Sequence, residues 1–266
     1  MTRRLGLAAI TAALTAACSP LSLFATLSPK DAAMASARDV AFGPDPRQRL
    51  DVYAPRRLKG AGPAPVVMFF YGGSWDSGRR QDYNWVGKAL ASRGFVTVIA
   101  DYRLYPQVRF PEFLQDGAAA VRWAADHAAQ FGGDPSRIAL VGHSAGAYNA
   151  AMLALDSRYL TAAGVDPRRI KVFAGLSGPY DFLPLRDPIA IRTFGEARDP
   201  SATQPTAFGR AEAPATFLAT GEKDTYVFPR NTVRLGKALR EVGVTVEEHH
   251  YPEVDQFNTV LALSRP

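Results

Sequence analysis

Ile138-Ala139-Leu140-Val141-Gly142-His143-Ser144-Ala145-Gly146 is the stretch that decides how this chain is read. Four apolar residues lead into a G-x-S-x-G pentapeptide, and an alanine-rich segment, Ala147 to Leu155, follows at once. Such a run predicts a buried strand, a sharp turn and a helix. The glycines have a steric role there. They let strand and helix approach closely around a strained serine, because a Cβ at either position would be in the way. The turn would then hold Ser144 exposed at the tip of a sheet.

Outward from that turn, the chain alternates strand and helix. On the N-terminal side, Val66 to Phe70 and Phe95 to Ala100 are apolar runs, as strands covered on both faces require. Tyr83 to Arg93 and Phe110 to Phe131 have helical spacing, the second stopped by Gly132-Gly133. Arg38 to Phe42 and Arg49 to Tyr53, separated by Gly43-Pro44-Asp45-Pro46, read as an opening antiparallel hairpin. Toward the C-terminus, Ile170 to Leu176, Thr216 to Thr220 and Val244 to Tyr251 read as strands, and Asn231 to Val242 as a helix. Residues 177–214 are irregular. The predicted class is α/β, a mostly parallel sheet with helices on both faces and an antiparallel N-terminal hairpin.

Composition narrows the function. The chain has 266 residues, 47% of them hydrophobic, and a net charge of +6, which suits one large domain. Its arginines are scattered and no aromatic-basic stripe occurs, which argues against a nucleic-acid partner. The four histidines have no ligand spacing and the one cysteine has no thiol partner, so no metal site is expected. Neither Gly72-Gly73 nor Gly132-Gly133 has the layout of a phosphate-binding loop, and no cofactor is expected.

The N-terminus reads as an export signal. Arg3 and Arg4 precede a short apolar run, Leu5 to Leu14, too short to span a bilayer. Leu14-Thr15-Ala16-Ala17-Cys18 resembles a bacterial lipobox, in which Cys18 would be lipidated. Ser19 would by the same resemblance favour the outer membrane. The expected organisation is a signal over residues 1–17, a tether over 18–37 and one domain over 38–266. The chain would be held at the cell envelope through Cys18, the alternatives being a periplasmic or secreted protein.

Several motifs in one order then carry a specific resemblance. Tyr71-Gly72-Gly73-Ser74-Trp75, Asp101-Tyr102-Arg103, Gly132-Gly133-Asp134-Pro135-Ser136-Arg137-Ile138, the pentapeptide around Ser144, and Asp224 resemble the α/β-hydrolases. The branch is that of hormone-sensitive-lipase-like carboxylesterases, feruloyl-esterase-like proteins and kynurenine formamidases. The resemblance implies an α/β-hydrolase fold and makes the turn at Ser144 a nucleophile elbow. It implies ester or amide hydrolysis, and the modest insertion over residues 177–214 leads to the expectation of an open pocket for small or aryl carboxylic esters. Ser144 would be the nucleophile, and backbone N–H groups of Gly73, Ser74 and Ala145 would bind the oxyanion. Asp224 would be the orienting acid, with Asp181 the alternate. Tyr71 stands where the family has histidine, and Trp75 is expected to pack the loop.

The base departs from the family pattern. Val254-Asp255-Gln256-Phe257-Asn258 puts Gln256 where the catalytic histidine belongs, and an amide has no usable basicity near neutral pH. His143 is expected to point away from the working side of the serine, and His127 to pack or lie at the surface. His249 and His250 lie six or seven residues before position 256, roughly 20 Å at about 3.3 Å each. Ten residues follow Gln256, where the family has a full last helix, so a shortened C-terminal helix is expected. Two readings follow: a serine esterase impaired by Gln256, or a non-catalytic relative that binds a ligand at the envelope.

Overall fold

A computed structural model of the chain describes residues 35–56 and 62–264. The signal sequence, Cys18 and most of the tether lie outside the described residues. Eight strands form one sheet in the order β1-β2-β4-β3-β5-β6-β7-β8. They are β1 (Ala35–Ala41), β2 (Arg49–Tyr53), β3 (Ala64–Phe70), β4 (Val96–Ala100), β5 (Gly133–His143), β6 (Ile170–Leu176), β7 (Ala215–Gly221) and β8 (Val246–Tyr251). The β1–β2 and β2–β4 pairings are antiparallel, and every pairing from β4 to β8 is parallel. The opening hairpin therefore forms as expected. Its first strand starts at Ala35, so the last three residues assigned to the tether belong to the sheet.

The helices are α1 (Asn84–Ser92), α2 (Glu112–His127), α3 (Ala145–Leu155), α4 (Ser157–Ala162), α5 (Pro188–Phe194), α6 (Arg230–Glu241) and α7 (Gln256–Leu261). Alternation along the strands sorts them onto two faces. Val66, Met68 and Phe70 of β3 pack with Val121 and Ala124 of α2, Ala147 and Ala151 of α3, and Leu235 and Leu239 of α6. Phe69 and Ile99 point the other way, to Trp85 and Val86 of α1 and Val260 of α7. Every residue of α3 is buried. Its alanines make that possible, since a helix covered on all sides must be apolar and slim. Within the described residues, α7 and the turn Ala262–Ser264 cover the sheet beside α1, and Arg93 donates to the Leu263 carbonyl at 3.2 Å.

One polar cluster fixes the loop that follows β3. The Arg80 guanidinium bonds Asp101, Asp51 at 3.0 Å and Asp39 at 2.6 Å, and the Arg80 N–H donates to Asp101 at 2.7 Å. The Tyr71 hydroxyl donates to Asp101 at 2.8 Å and accepts from Arg47 at 3.0 Å. The Tyr102 hydroxyl donates to the Tyr71 carbonyl at 3.0 Å, and the two rings stack 5.0 Å apart. Arg103 clamps Asp116 of α2 with bonds of 2.7 and 2.8 Å. Asp101-Tyr102-Arg103 thus ties β4 to the base of the loop and to α2.

Removing one carboxylate from this cluster leaves a buried guanidinium short of a partner, a change that costs about 3–5 kcal/mol. Asp101→Ala should lower unfolding stability by that amount in urea titrations. Tyr71→Phe, which removes a single hydroxyl from the same cluster, should cost about 1–3 kcal/mol.

Candidate active site

Ser144 sits between β5 and α3 with φ 55°, ψ −127°, a conformation that L-residues rarely adopt. Close packing enforces it. A Cβ on Gly142 would strike the Gly146 carbonyl, and one on Gly146 would strike the Phe70 and Tyr71 carbonyls. The Ser144 N–H donates to the Leu176 carbonyl at 2.9 Å, so β6 holds the turn from the other side.

The loop Tyr71-Gly72-Gly73-Ser74-Trp75 lies directly against this turn. A Cβ on Gly72 would come within 2.9 Å of the Ser144 Cβ and 3.2 Å of His143 Nδ1. Gly73, Ser74 and Trp75 have φ of 136°, 50° and 61°. The Gly73 carbonyl accepts from the N–H of Asp76 at 3.1 Å, the N–H of Ser77 at 3.0 Å and the Ser77 hydroxyl at 2.9 Å. In a trans peptide the Ser74 N–H points opposite to that carbonyl, out of the turn that residues 73–77 form. Among the described residues, the N–H groups of Gly73, Ser74 and Ala145 meet no acceptor. Trp75 is buried, bonded to Asn149 at 3.1 Å and edge-on to Phe194 and Tyr148, so it packs the loop as expected.

Two C-terminal loops bring the remaining residues in. The Glu222 N–H donates to the Tyr251 carbonyl and the Lys223 N–H to the Val254 carbonyl, each at 3.0 Å. These bonds zip the loop after β7 to the loop after β8. Asp224, on the first loop, accepts from the N–H groups of Tyr226 at 2.9 Å and Val227 at 2.8 Å. Burial raises its pKa above the usual carboxylate value, against those N–H bonds and the Ser177 hydroxyl. On the second loop, Asp255 caps α7 by accepting from Phe257 and Asn258 N–H, which leaves Gln256 as the first helical residue.

Gln256 joins the other two. With its nitrogen toward Asp224, Nε2 donates to both carboxylate oxygens, to Oδ1 at 3.1 Å, and Oε1 accepts from Ser144 Oγ at 2.7 Å. The opposite amide orientation would set a carbonyl oxygen against a carboxylate, so hydrogen bonding selects the first. Ser144, Gln256 and Asp224 therefore form one line, serine to amide to acid.

No histidine enters this line. His143 is buried, and its Nε2 bonds the Gln256 backbone carbonyl at 2.8 Å, while Nδ1 has no partner among the described residues. His127 stacks on Trp123 and bonds its carbonyl. His249 and His250 pair with Glu247 and Glu248 on β8. Asp181, the alternate acid, is bonded to Arg234 at 2.6 Å, away from Gln256. Among the described residues no group of His, Cys, Asp and Glu could hold a metal ion.

A cleft of about 540 Å³ opens over Ser144, with Gly73, Ser74, Ala145 and Gln256 in its floor. Phe182, Ile189, Tyr83 and Trp75 make its walls largely apolar. Tyr226 and Phe257 stand edge to face at its mouth, 78% and 46% exposed. Sequence reasoning missed His143 and Ser177 as neighbours of position 256. Ser177, at φ 48° after β6, bonds Thr259, which itself bonds the Gln256 carbonyl.

An elbow after the fifth strand, an adjacent loop of free N–H groups and an acid after the seventh define an α/β-hydrolase fold. Residues 50–239 match the BD-FAE family, and the chain belongs to it. It is 35% identical over 155 residues to a probable isoprenylcysteine alpha-carbonyl methylesterase of Arabidopsis thaliana, covering 56% of this chain and 32% of that protein. It is 37% identical over 152 residues to the esterase LipC of Mycobacterium tuberculosis, covering 54% of this chain and 37% of that protein. The chain thus spans about a third of the length of these curated relatives. Among solved structures, a truncated carbohydrate esterase from gut microbiota superposes with a TM-score of 0.74 at 19% identity, over 86% of this chain and 91% of that one. Esterase B from Lactobacillus Rhamnosis gives 0.72 at 23%, over 85% and 76%.

The buried imidazole of His143 yields a pH test. Burial lowers its pKa from 6.5 to about 4, against the bond to the Gln256 carbonyl. Between these values the unfolded chain binds a proton that the folded chain refuses. Stability is therefore fully present above pH 6.5 and falls as pH drops toward 4. Urea unfolding should show the native chain losing about 3 kcal/mol more than the His143→Gln chain across that window.

Proposed function

We propose that the chain is a serine hydrolase of small or aryl carboxylic esters, slowed by an amide where the base should stand. Ser144 is the nucleophile. Gly73, Ser74 and Ala145 donate their N–H groups to the oxyanion, each donor lowering the barrier by roughly 3–4 kcal/mol. The observation that carries this reading is the line Ser144 to Gln256 to Asp224, set beside N–H groups without acceptors. Curated relatives named as esterases support the reaction class. The apolar walls and the aromatic pair at the mouth support the substrate class.

In the bond to Gln256 the Ser144 hydroxyl is the donor, which orients it and leaves its oxygen lone pairs free for a bound carbonyl. Gln256 cannot take the proton, however, since a neutral amide oxygen is a hydrogen-bond acceptor and not a base. Losing the base in a serine hydrolase costs roughly 10⁶ in turnover. Oxyanion binding and positioning still leave about 10³–10⁴ over water. Slow hydrolysis is the result. The cell envelope is the proposed location, with Cys18 as the lipid anchor, on the strength of the N-terminal sequence.

Hydrolysis of p-nitrophenyl acetate by the purified chain tests the reaction. Gln256→His should raise the rate by about 10²–10⁴, the usual share of a positioned acid–base group and part of the full loss, because the restored imidazole enters a site fitted to glutamine, and Ser144→Ala should remove it. A Gln256→His chain as silent as Ser144→Ala overturns the enzyme reading in favour of a ligand-binding relative. Radiolabelled palmitate should label the native chain in bacterial cells and leave Cys18→Ser unlabelled.

A further inference from the structure

The two halves of ester hydrolysis make unequal demands on residue 256, and the structure meets them unequally. In the first half, Ser144 Oγ bonds the acyl carbon, the bond from that carbon to the departing oxygen breaks, and the hydroxyl proton passes to water or buffer. An aryl oxide leaves without being protonated, so an aryl ester asks only for a proton acceptor. In the second half, a water oxygen bonds the same carbon and gives up a proton, while Ser144 Oγ departs and must gain one. That step asks for an acceptor and a donor in the same place. An imidazole serves as each in turn.

Gln256 is neither, and its orientation sharpens the difference. Oε1 faces Ser144 Oγ at 2.7 Å, and the N–H groups are turned to Asp224. A departing Oγ therefore meets only an oxygen lone pair. The imidazole in the cleft wall offers no substitute, since His143 Nε2 is committed to the Gln256 carbonyl and Nδ1 is sealed from solvent. The N–H groups of Gly73, Ser74 and Ala145 serve both halves alike, so they do not restore the balance.

We propose that Ser144 stores the acyl group that it takes. An activated ester acylates it, the second half stalls, and the chain accumulates as a covalent Ser144 ester. The stored acyl group passes to nucleophiles that need no base, such as hydroxylamine, faster than to water. This inference rests on the serine-hydrolase reading above.

Intact-mass spectrometry of the full chain with p-nitrophenyl acetate, followed by peptide mapping, tests it. One acetyl group per chain should appear on Ser144. A burst of one p-nitrophenolate per chain should precede a release slower by about 10²-fold or more. Hydroxylamine should discharge the adduct as the hydroxamate. Gln256→His should turn over steadily without accumulating it, Ser144→Ala should take none, and imidazole in the buffer should speed its release from Gln256→Ala. Steady release by the native chain with no adduct, or an acetyl group found only on lysines, overturns acyl storage. The hydrolase reading survives either result if Gln256→His is active. Absence of adduct and of release in both the native and Gln256→His chains overturns the two together.

Discussion

The first turn of α3 lies against the carbonyls of Phe70 and Tyr71 so closely that a single methyl group on Gly146 has no room. This contact sets the spacing of everything around it. It brings the end of β3 beside the end of β5, which forces Ser144 into a positive φ and lifts its hydroxyl above the sheet. It also delivers the loop after β3, with its free N–H groups, to the same place. A larger residue at position 146 would separate the two halves of the site before it altered either one.

Close approach alone does not hold the loop. Gly73, Ser74 and Trp75 all have positive φ, and two of them carry a Cβ, so their conformation costs energy that the surroundings must offset. Support comes from below and from behind. Below, the Tyr71 hydroxyl is held by Asp101 and Arg47, and Arg80 neutralises the buried acids. Behind, Trp75 is gripped by Phe194, Tyr148 and Asn149. Tyr71, where the resemblance led to the expectation of histidine, takes part in this support: its ring stacks on Tyr102 and its hydroxyl reaches the charged cluster.

Residues whose position follows from local pattern were legible in the sequence. The apolar runs of β3, β4 and β6 and the glycines around Ser144 each carry a short-range signal. Asp224 and Gln256 were legible by another route, through the family resemblance, which says where in the chain order an acid and a base are expected. Contacts between distant segments were not. Arg80 bonds Asp39, Asp51 and Asp101 from three separate segments, and nothing in the residues near Arg80 announces them. α4 was missed because its single turn and a half is too short for a periodic stripe, although Asp156 caps it. α5 lay inside a stretch read as irregular, since its capping Asp187 and Pro188 also suit a turn. His143 was expected to turn away from the serine, and its role at the Gln256 carbonyl depends on a chain reversal 113 residues later.

Why does the glutamine fit so well where a histidine is expected? An imidazole between serine and acid offers one acceptor nitrogen and one donor N–H on opposite sides of a planar ring. An amide offers an acceptor oxygen and a donor nitrogen on opposite sides of a smaller plane. The pattern of hydrogen bonds is the same, so the loop, the N-cap at Asp255 and the bond from His143 to the main chain need not move. What differs is the proton: an imidazole nitrogen binds one near neutral pH and an amide oxygen does not. Stability sees only the hydrogen bonds, whereas hydrolysis needs the proton to travel. A substitution of this kind separates the two requirements: the hydrogen bonds from Ser144 through residue 256 to Asp224 stay in place, while the group that would carry a proton between them is lost.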